Sequence, residues 1–176
     1  MDELLFSRSL LLVFLLLCSA FFSACEVAYF SLNSLQLNEM SEKKGHLGRI
    51  VNSLLEKPRE LLITIYIGNE FVNIAISVVV TSIAINVFGN LGVGIAIGVG
   101  TLLLLVFGDI IPKSISLKFS QPYALFSAYP LTIFAKIVQP AQKLFSIWTE
   151  KIISCMGILP HGLKESPITD EEFRAM

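Results

Sequence analysis

Histidine and cysteine are scarce in this chain, two and three residues in 176. His46 and His161 both fall in polar stretches, so the apolar segments hold no imidazole cluster of the kind a softer metal prefers. Cys18 and Cys25 lie inside an apolar run and Cys155 in a later helical segment, which argues against a disulfide framework and for buried free thiols. Charge is sparse as well: 15% of residues are charged against 54% hydrophobic, and the mean hydropathy is +0.73. A soluble domain carries about 25% charged residues, so this composition is that of an integral membrane protein. The net charge of −1 is split between segregated segments, which leaves no basic face for nucleic acid. No Ser/His/Asp, His/Glu or glycine-rich phosphate motif stands in an aqueous position, so an enzyme is not expected.

What is present is a series of apolar runs with polar punctuation. Leu10 to Phe30 is nearly uninterrupted and close to the ~20 residues that a spanning helix needs. Within it Phe22-Ser23-Ala24-Cys25 resembles a lipoprotein cleavage box, but Phe22 fits the first position poorly and the leading segment carries Asp2 and Glu3 against Arg8 alone, the wrong charge for a signal. Asn33 to Glu60 is polar, with Leu32, Leu35, Leu47, Ile50, Val51, Leu54 and Leu55 at roughly helical spacing, predicting short amphipathic helices on the membrane surface. Its five Lys and Arg assign it to the cytoplasm and the amino terminus to the outside. Leu61 to Phe88 is a second span, Gly89-Asn90 an external turn, and Leu91 to about Leu117 a third span that opens with Gly92, Gly94, Gly98 and Gly100, small residues suited to helix packing.

Gln121 to Met156 is apolar but broken by Pro122, Pro130 and Pro140 and studded with Lys136, Lys143 and Lys151. A fourth span over Tyr123 to Val138 would be short and would put the later lysines outside, so helices along the inner membrane face are expected instead, with Tyr123, Tyr129 and Trp148 near the headgroups. His161 to Pro167 reads as a linker, and Thr169-Asp170-Glu171-Glu172 has the spacing of a capping box that starts a helix. The expected organisation is all-α: residues 1–160 form a transmembrane domain of three spans with a belt of juxtamembrane helices, and residues 161–176 lead towards a further domain. The carboxyl terminus is then cytoplasmic and the protein multi-pass in the cell membrane, in contact with the lipid bilayer.

One stretch concentrates the chemistry. In Val106 to Lys118, VFGDIIPKSISLK, Asp109 precedes Pro112 by three residues inside a span. A proline in an α-helix deprives the carbonyl four residues back of its hydrogen bond, here that of Gly108. A carboxylate and a free carbonyl in hydrocarbon are costly and point to a site. With ~1.5 Å of rise per residue, Ser23 and Glu26 on the first span, Asn69 and Asn73 on the second and Asp109 on the third all lie roughly 9 to 18 Å from their cytoplasmic ends. Ser23/Glu26 and Asn69/Asn73 each share one helix face, and Glu70 is a further acid beside Asn73. Hydroxyl, amide, carboxylate and carbonyl oxygens suit a hard cation such as Mg²⁺ or Ca²⁺. The simpler readings are that Glu26 pairs with Lys113, that Pro112 only kinks its helix, and that Thr81, Ser82 and Asn86 are interhelical hydrogen-bonding glue.

At these residues the chain resembles the transmembrane domain of the CNNM/CorC family of magnesium transporters. The matching pieces are Phe22-Ser23-Ala24-Cys25-Glu26-Val27-Ala28 with Ser31-Leu32, Gly68-Asn69 with Asn73, and Gly108-Asp109-Ile110-Ile111-Pro112-Lys113-Ser114. The resemblance implies a homodimer of three-span subunits and a following cytoplasmic CBS-pair module. It also implies a Mg²⁺ site at Ser23, Asn73 and the Gly108 carbonyl, with Asn69 and Asp109 as further members. Aspartate stands at 109 where the family commonly has glutamate, a reach shorter by one methylene, and Glu70 is an unusual acid at its position. Export of Mg²⁺ by alternating access, with Na⁺ as the possible counter-ion, is the expectation; a membrane-embedded Mg²⁺ sensor or regulatory anchor that transports nothing is the alternative.

Overall fold

The polar segment after Phe30 folds as the leucine spacing predicts, and the helices around it show why. The computed structural model describes residues 2–155, and within them α1 is Asp2–Phe30, α2 Ser34–Lys43, α3 Gly45–Leu55 and α4 Pro58–Phe88. A 3-10 turn, Gly89–Leu91, leads into α5 (Gly92–Leu103), a π-helical segment (Leu104–Ile110), α6 (Ile111–Lys118) and α7 (Ser120–Cys155). The linker at 161–167 and the capping box at Thr169 lie outside the described residues, as do the side chains of Trp148 and Cys155. Met1–Gln139 is one compact unit; of the second unit, which begins at Pro140, the described part is the remainder of α7.

Two stretches are long and apolar enough to cross a membrane, Glu3–Phe30 and Pro58–Lys118. The second contains the turn at Gly89, whose φ of +60° is one that glycine adopts without strain. There the chain reverses: Gly92 packs against Ala84, and Gly100 against Val80, so α5 runs antiparallel to α4. α1 is also antiparallel to α4, with Glu26 facing Tyr66, Ser19 facing Asn73, and Leu12, Leu15 and Leu16 packed on the cluster of Ile76, Val80 and Ala84. The outer faces are apolar, with Phe71 75% and Leu91 77% exposed among many large hydrophobic side chains, a surface that water would not tolerate and lipid would.

α2 starts on a reciprocal cap. Asn33 Oδ1 accepts from the Gln36 backbone N–H at 2.8 Å, and Gln36 Oε1 accepts from the Asn33 N–H at 3.1 Å. Met40 and Val51 of α2 and α3 are buried with Leu61, Ile65 and the end of α1, while Leu35 and Leu47 face outward. In the last turn of α2 the exposed Lys43 ammonium, 2.7 Å from Glu39, holds that carboxyl below its usual range.

Three expectations need correction. Pro122, Pro130 and Pro140 do not break the segment after Lys118; α7 runs through all of them. Pro122 sits in the first turn, where no intrahelical donor is required, and Pro130 lies exposed, away from the face of Ala124, Ala128 and Leu131 that is buried against α1. That packing offsets the bond a mid-helix proline removes. Next, Thr81 and Asn86 are not interhelical glue: Thr81 Oγ1 donates to the Ser77 carbonyl at 2.7 Å and Asn86 Nδ2 to the Ser82 carbonyl at 2.8 Å, within α4 itself. Finally, the third apolar run is not a uniform α-helix, because residues 104–110 are π-helical. As expected, Cys25 is buried and Cys18 half-buried, both as free thiols, and Cys25 sits within an unbroken α1.

The glycines of α5 divide sharply. A Cβ on Gly92 would collide with the Ala84 backbone, whereas one on Gly94 would meet nothing within 4 Å. Gly92→Ala is expected to destabilise the hairpin by about 1 to 3 kcal/mol, the usual cost of overpacking. Gly94→Ala should be neutral or slightly stabilising. Thermal melts of the two detergent-solubilised variants check the contrast.

Candidate functional site

Two apolar clusters flank a polar layer. One gathers Phe22, Cys25, Ala28 and Tyr29 with Leu61, Ile65 and α7; the other gathers Ile76, Val80, Ala84 and Ala96 with Leu12, Leu15 and Leu16. Between them α1 contributes Ser19 and Ser23, one turn apart and both fully buried, and α4 contributes Asn69 and Asn73, also one turn apart. Residues four apart on a helix share a face, so each helix presents two oxygen-bearing side chains as a pair.

The pairs interlock. Ser19 Oγ lies 2.8 Å from Asn73 Oδ1 and 3.2 Å from Asn69 Oδ1, and Ser23 Oγ donates to Asp109 Oδ1 at 2.6 Å. One hydroxyl hydrogen faces two carboxamide oxygens. A half-turn of either carboxamide would present an N–H instead, so the same side chains can satisfy Ser19 alone or turn oxygen towards a cation.

The π segment shapes the third wall. Its register closes with the Ile111 N–H on the Val106 carbonyl. Pro112 follows immediately and has no N–H, so it donates to neither the Phe107 carbonyl, its partner in the π register, nor the Gly108 carbonyl, its partner in the α register. The assignment of the freed oxygen to Gly108 alone presumed an uninterrupted α-helix and is corrected in this respect. Gly108 is buried, and a Cβ there would lie 2.9 Å from Ser19 Oγ, so only glycine lets the π turn approach α1 this closely.

Towards the end of the bundle that holds α2 and α3, the layer is bordered by charge. Lys113 Nζ lies 3.2 Å from Glu26 Oε2 and 3.4 Å from Asp109 Oδ1, and Tyr66 Oη donates to Glu26 Oε1 at 3.1 Å. The Glu26–Lys113 pair, one of the simpler readings of the sequence, is present, but Lys113 also reaches Asp109. Ser116 Oγ donates to the Ala24 carbonyl at 2.6 Å, clamping α6 to α1 just beyond.

Of the residues singled out from sequence, Ser23 and Asp109 meet on one side of this layer, and Asn69, Asn73 and Gly108 gather around Ser19 on the other. Glu70 is exposed on α4 and has no tie to the layer. Ser19 and Tyr66 escaped the sequence reading. Ser19 lies one turn before Ser23 in a run that is otherwise apolar, and that spacing was the available signal; Tyr66, at the start of a span, reads as an interfacial aromatic. Among the described residues no three His, Cys, Asp or Glu cluster as a metal group; the layer is built from hydroxyls, carboxamides, backbone carbonyls and one close carboxylate. Such oxygens can hold a hard cation that keeps part of its water shell.

Gly108→Ala is expected to push Ser19 off Asn73 and cost about 1 to 3 kcal/mol. Adding Ser19→Ala removes the oxygen it strikes, so the double variant should recover part of the loss. A double-mutant cycle by thermal denaturation checks this.

Residues 10–176 match the family model described as the cyclin M transmembrane N-terminal domain. A UPF0053 protein of Haemophilus influenzae is 35% identical over 95% of this chain and 40% of its own length. A UPF0053 inner membrane protein of Escherichia coli is 31% identical over 90% of the chain and 37% of its own length. A chloroplastic DUF21 domain-containing protein of Arabidopsis thaliana is 31% identical over 99% of the chain and 26% of its own length. The chain thus spans two fifths or less of these relatives.

Proposed function

The chain belongs to the cyclin M transmembrane family, and from that premise we propose that it is the ion-conducting membrane domain of a divalent cation transporter that exports Mg²⁺. The observation that carries the reading is the layer of oxygen donors drawn from three helices, with Ser19 and Ser23 buried and Asn69, Asn73 and Asp109 half-buried, held between two apolar clusters. Intramembrane polar groups are expensive, and this layer has more acceptor oxygens than hydrogens to share among them.

In this reading α1, α4 and the α5–π–α6 rod each cross the bilayer once, with the amino terminus outside and α2, α3 and α7 on the cytoplasmic face. A homodimer is the assembly proposed. Mg²⁺ enters from the cytoplasmic end, drawn by the negative field of Glu26 and Asp109. It exchanges some of its water for Ser23, Asn73 and a carbonyl of the Phe107–Gly108 turn, with Asn69 and Asp109 close enough to join. Alternating access requires that the layer open to one side at a time, and the two apolar clusters are the seals on either side. Na⁺ is the proposed counter-ion.

Asn73→Ala removes the carboxamide oxygen nearest Ser19 and is expected to abolish Mg²⁺ efflux from loaded proteoliposomes while leaving the oligomeric state unchanged. Wild-type efflux in that variant removes Asn73 from the site. Binding without flux in the wild-type protein, with no other protein present, would instead favour a sensor.

A further inference from the structure

We infer that Lys113 is a tethered counter-cation, which neutralises the ion-free site and must swing away before a divalent cation can be held. The inference rests on the function proposed above and names a control element within it. Its ammonium bridges the two carboxylates nearest the oxygen layer, 3.2 Å from Glu26 and 3.4 Å from Asp109. Charge-assisted N–H···O bonds settle near 2.7 to 2.9 Å, so both contacts are loose and neither fixes the ammonium. The side chain is 37% exposed on a four-carbon stem, which leaves it room to move.

Charge counting gives the reason for the exchange. Glu26, Asp109 and Lys113 together carry −1. A divalent ion added with Lys113 in place would raise the group to +1, with two cations sharing the Asp109 carboxylate; with Lys113 withdrawn the group is neutral. Two cations held this close repel, which favours the neutral arrangement. Ser23 already donates to the Asp109 oxygen that Lys113 touches, so that oxygen is the one contested by ammonium and ion. Tyr66 keeps its hydrogen bond to Glu26 while Lys113 leaves, so Glu26 is not stranded. Lys113 therefore sets affinity by competition, and it prevents the empty carboxylates from facing each other unneutralised.

The test is a Mg²⁺ titration of the purified full chain in nanodiscs by calorimetry, with Mg²⁺-dependent thermal shift as the second readout. Lys113→Met should bind Mg²⁺ at least about tenfold more tightly than wild type, the scale of removing one opposed charge at close range. It should also melt lower than wild type without Mg²⁺ and gain more from adding it. Lys113→Gln, which retains a polar tip, should show the same direction if the Met variant folds poorly. Lys113→Arg should stay at or below wild-type affinity, and Lys118→Met should match wild type. Unchanged or weaker binding in both Lys113→Met and Lys113→Gln, with wild type binding normally, overturns the role of Lys113 and leaves the proposed function standing. No Mg²⁺ binding in any variant overturns both.

Discussion

A buried hydroxyl facing two carboxamides fixes how the helices of this protein stand against one another. Hydrocarbon offers no water to a stranded hydroxyl or amide, so Ser19, Ser23, Asn69 and Asn73 must find one another or a ligand. Ser19 sits within 3.2 Å of both asparagine oxygens, and Ser23 reaches Asp109 at 2.6 Å. These contacts fix the rotation of α1 against α4 and against the π segment. The apolar clusters on either side then fill in around a register that the polar groups have set, since packing among Ile, Val, Leu and Phe is less selective about rotation than a hydrogen bond.

The π segment and Pro112 act together. Widening the helix by one residue per turn brings Gly108 against Ser19 and Asp109 against Ser23 within a single turn, and the proline at the junction withholds a donor from the carbonyls beside them. An α-helix over the same residues would change the register of Gly108 and Asp109 relative to the turns before them. The departure from regular structure thus lies beside the polar layer, as expected when irregular backbone in a membrane lines polar groups instead of meeting lipid.

Much of this was readable from single residues. The leucine spacing between Asn33 and Glu60 foretold α2 and α3, Gly89-Asn90 marked the hairpin turn, and a Glu26–Lys113 ion pair was among the simpler readings of those two charges. Other features were hidden for definite reasons. A hydroxyl such as Ser19 or Thr81 can bond its own helix or a neighbour, and which it does depends on what packs against that face: Thr81 turns inward to its own backbone, Ser19 outward to α4. The continuity of α7 through Pro130 was hidden because proline's effect depends on whether the opposite face is anchored, as Ala124, Ala128 and Leu131 anchor it on α1.

The sequence by itself determined the membrane character, the helical class, the surface helices α2 and α3 and the turn at Gly89, and the residue types able to meet a hard cation, because composition, hydropathy and spacing are properties of the chain taken locally. Only the tertiary structure decided which oxygens converge, that residues 104–110 adopt a π register, and that Lys113 bridges two carboxylates at once. The converging oxygens and the Lys113–Glu26 contact depend on distances between helices far apart in sequence, 54 residues for Ser19 and Asn73 and 86 for Ser23 and Asp109. A hydrogen bond or ion pair is decided by a few tenths of an ångström across such a gap, which no local periodicity can specify.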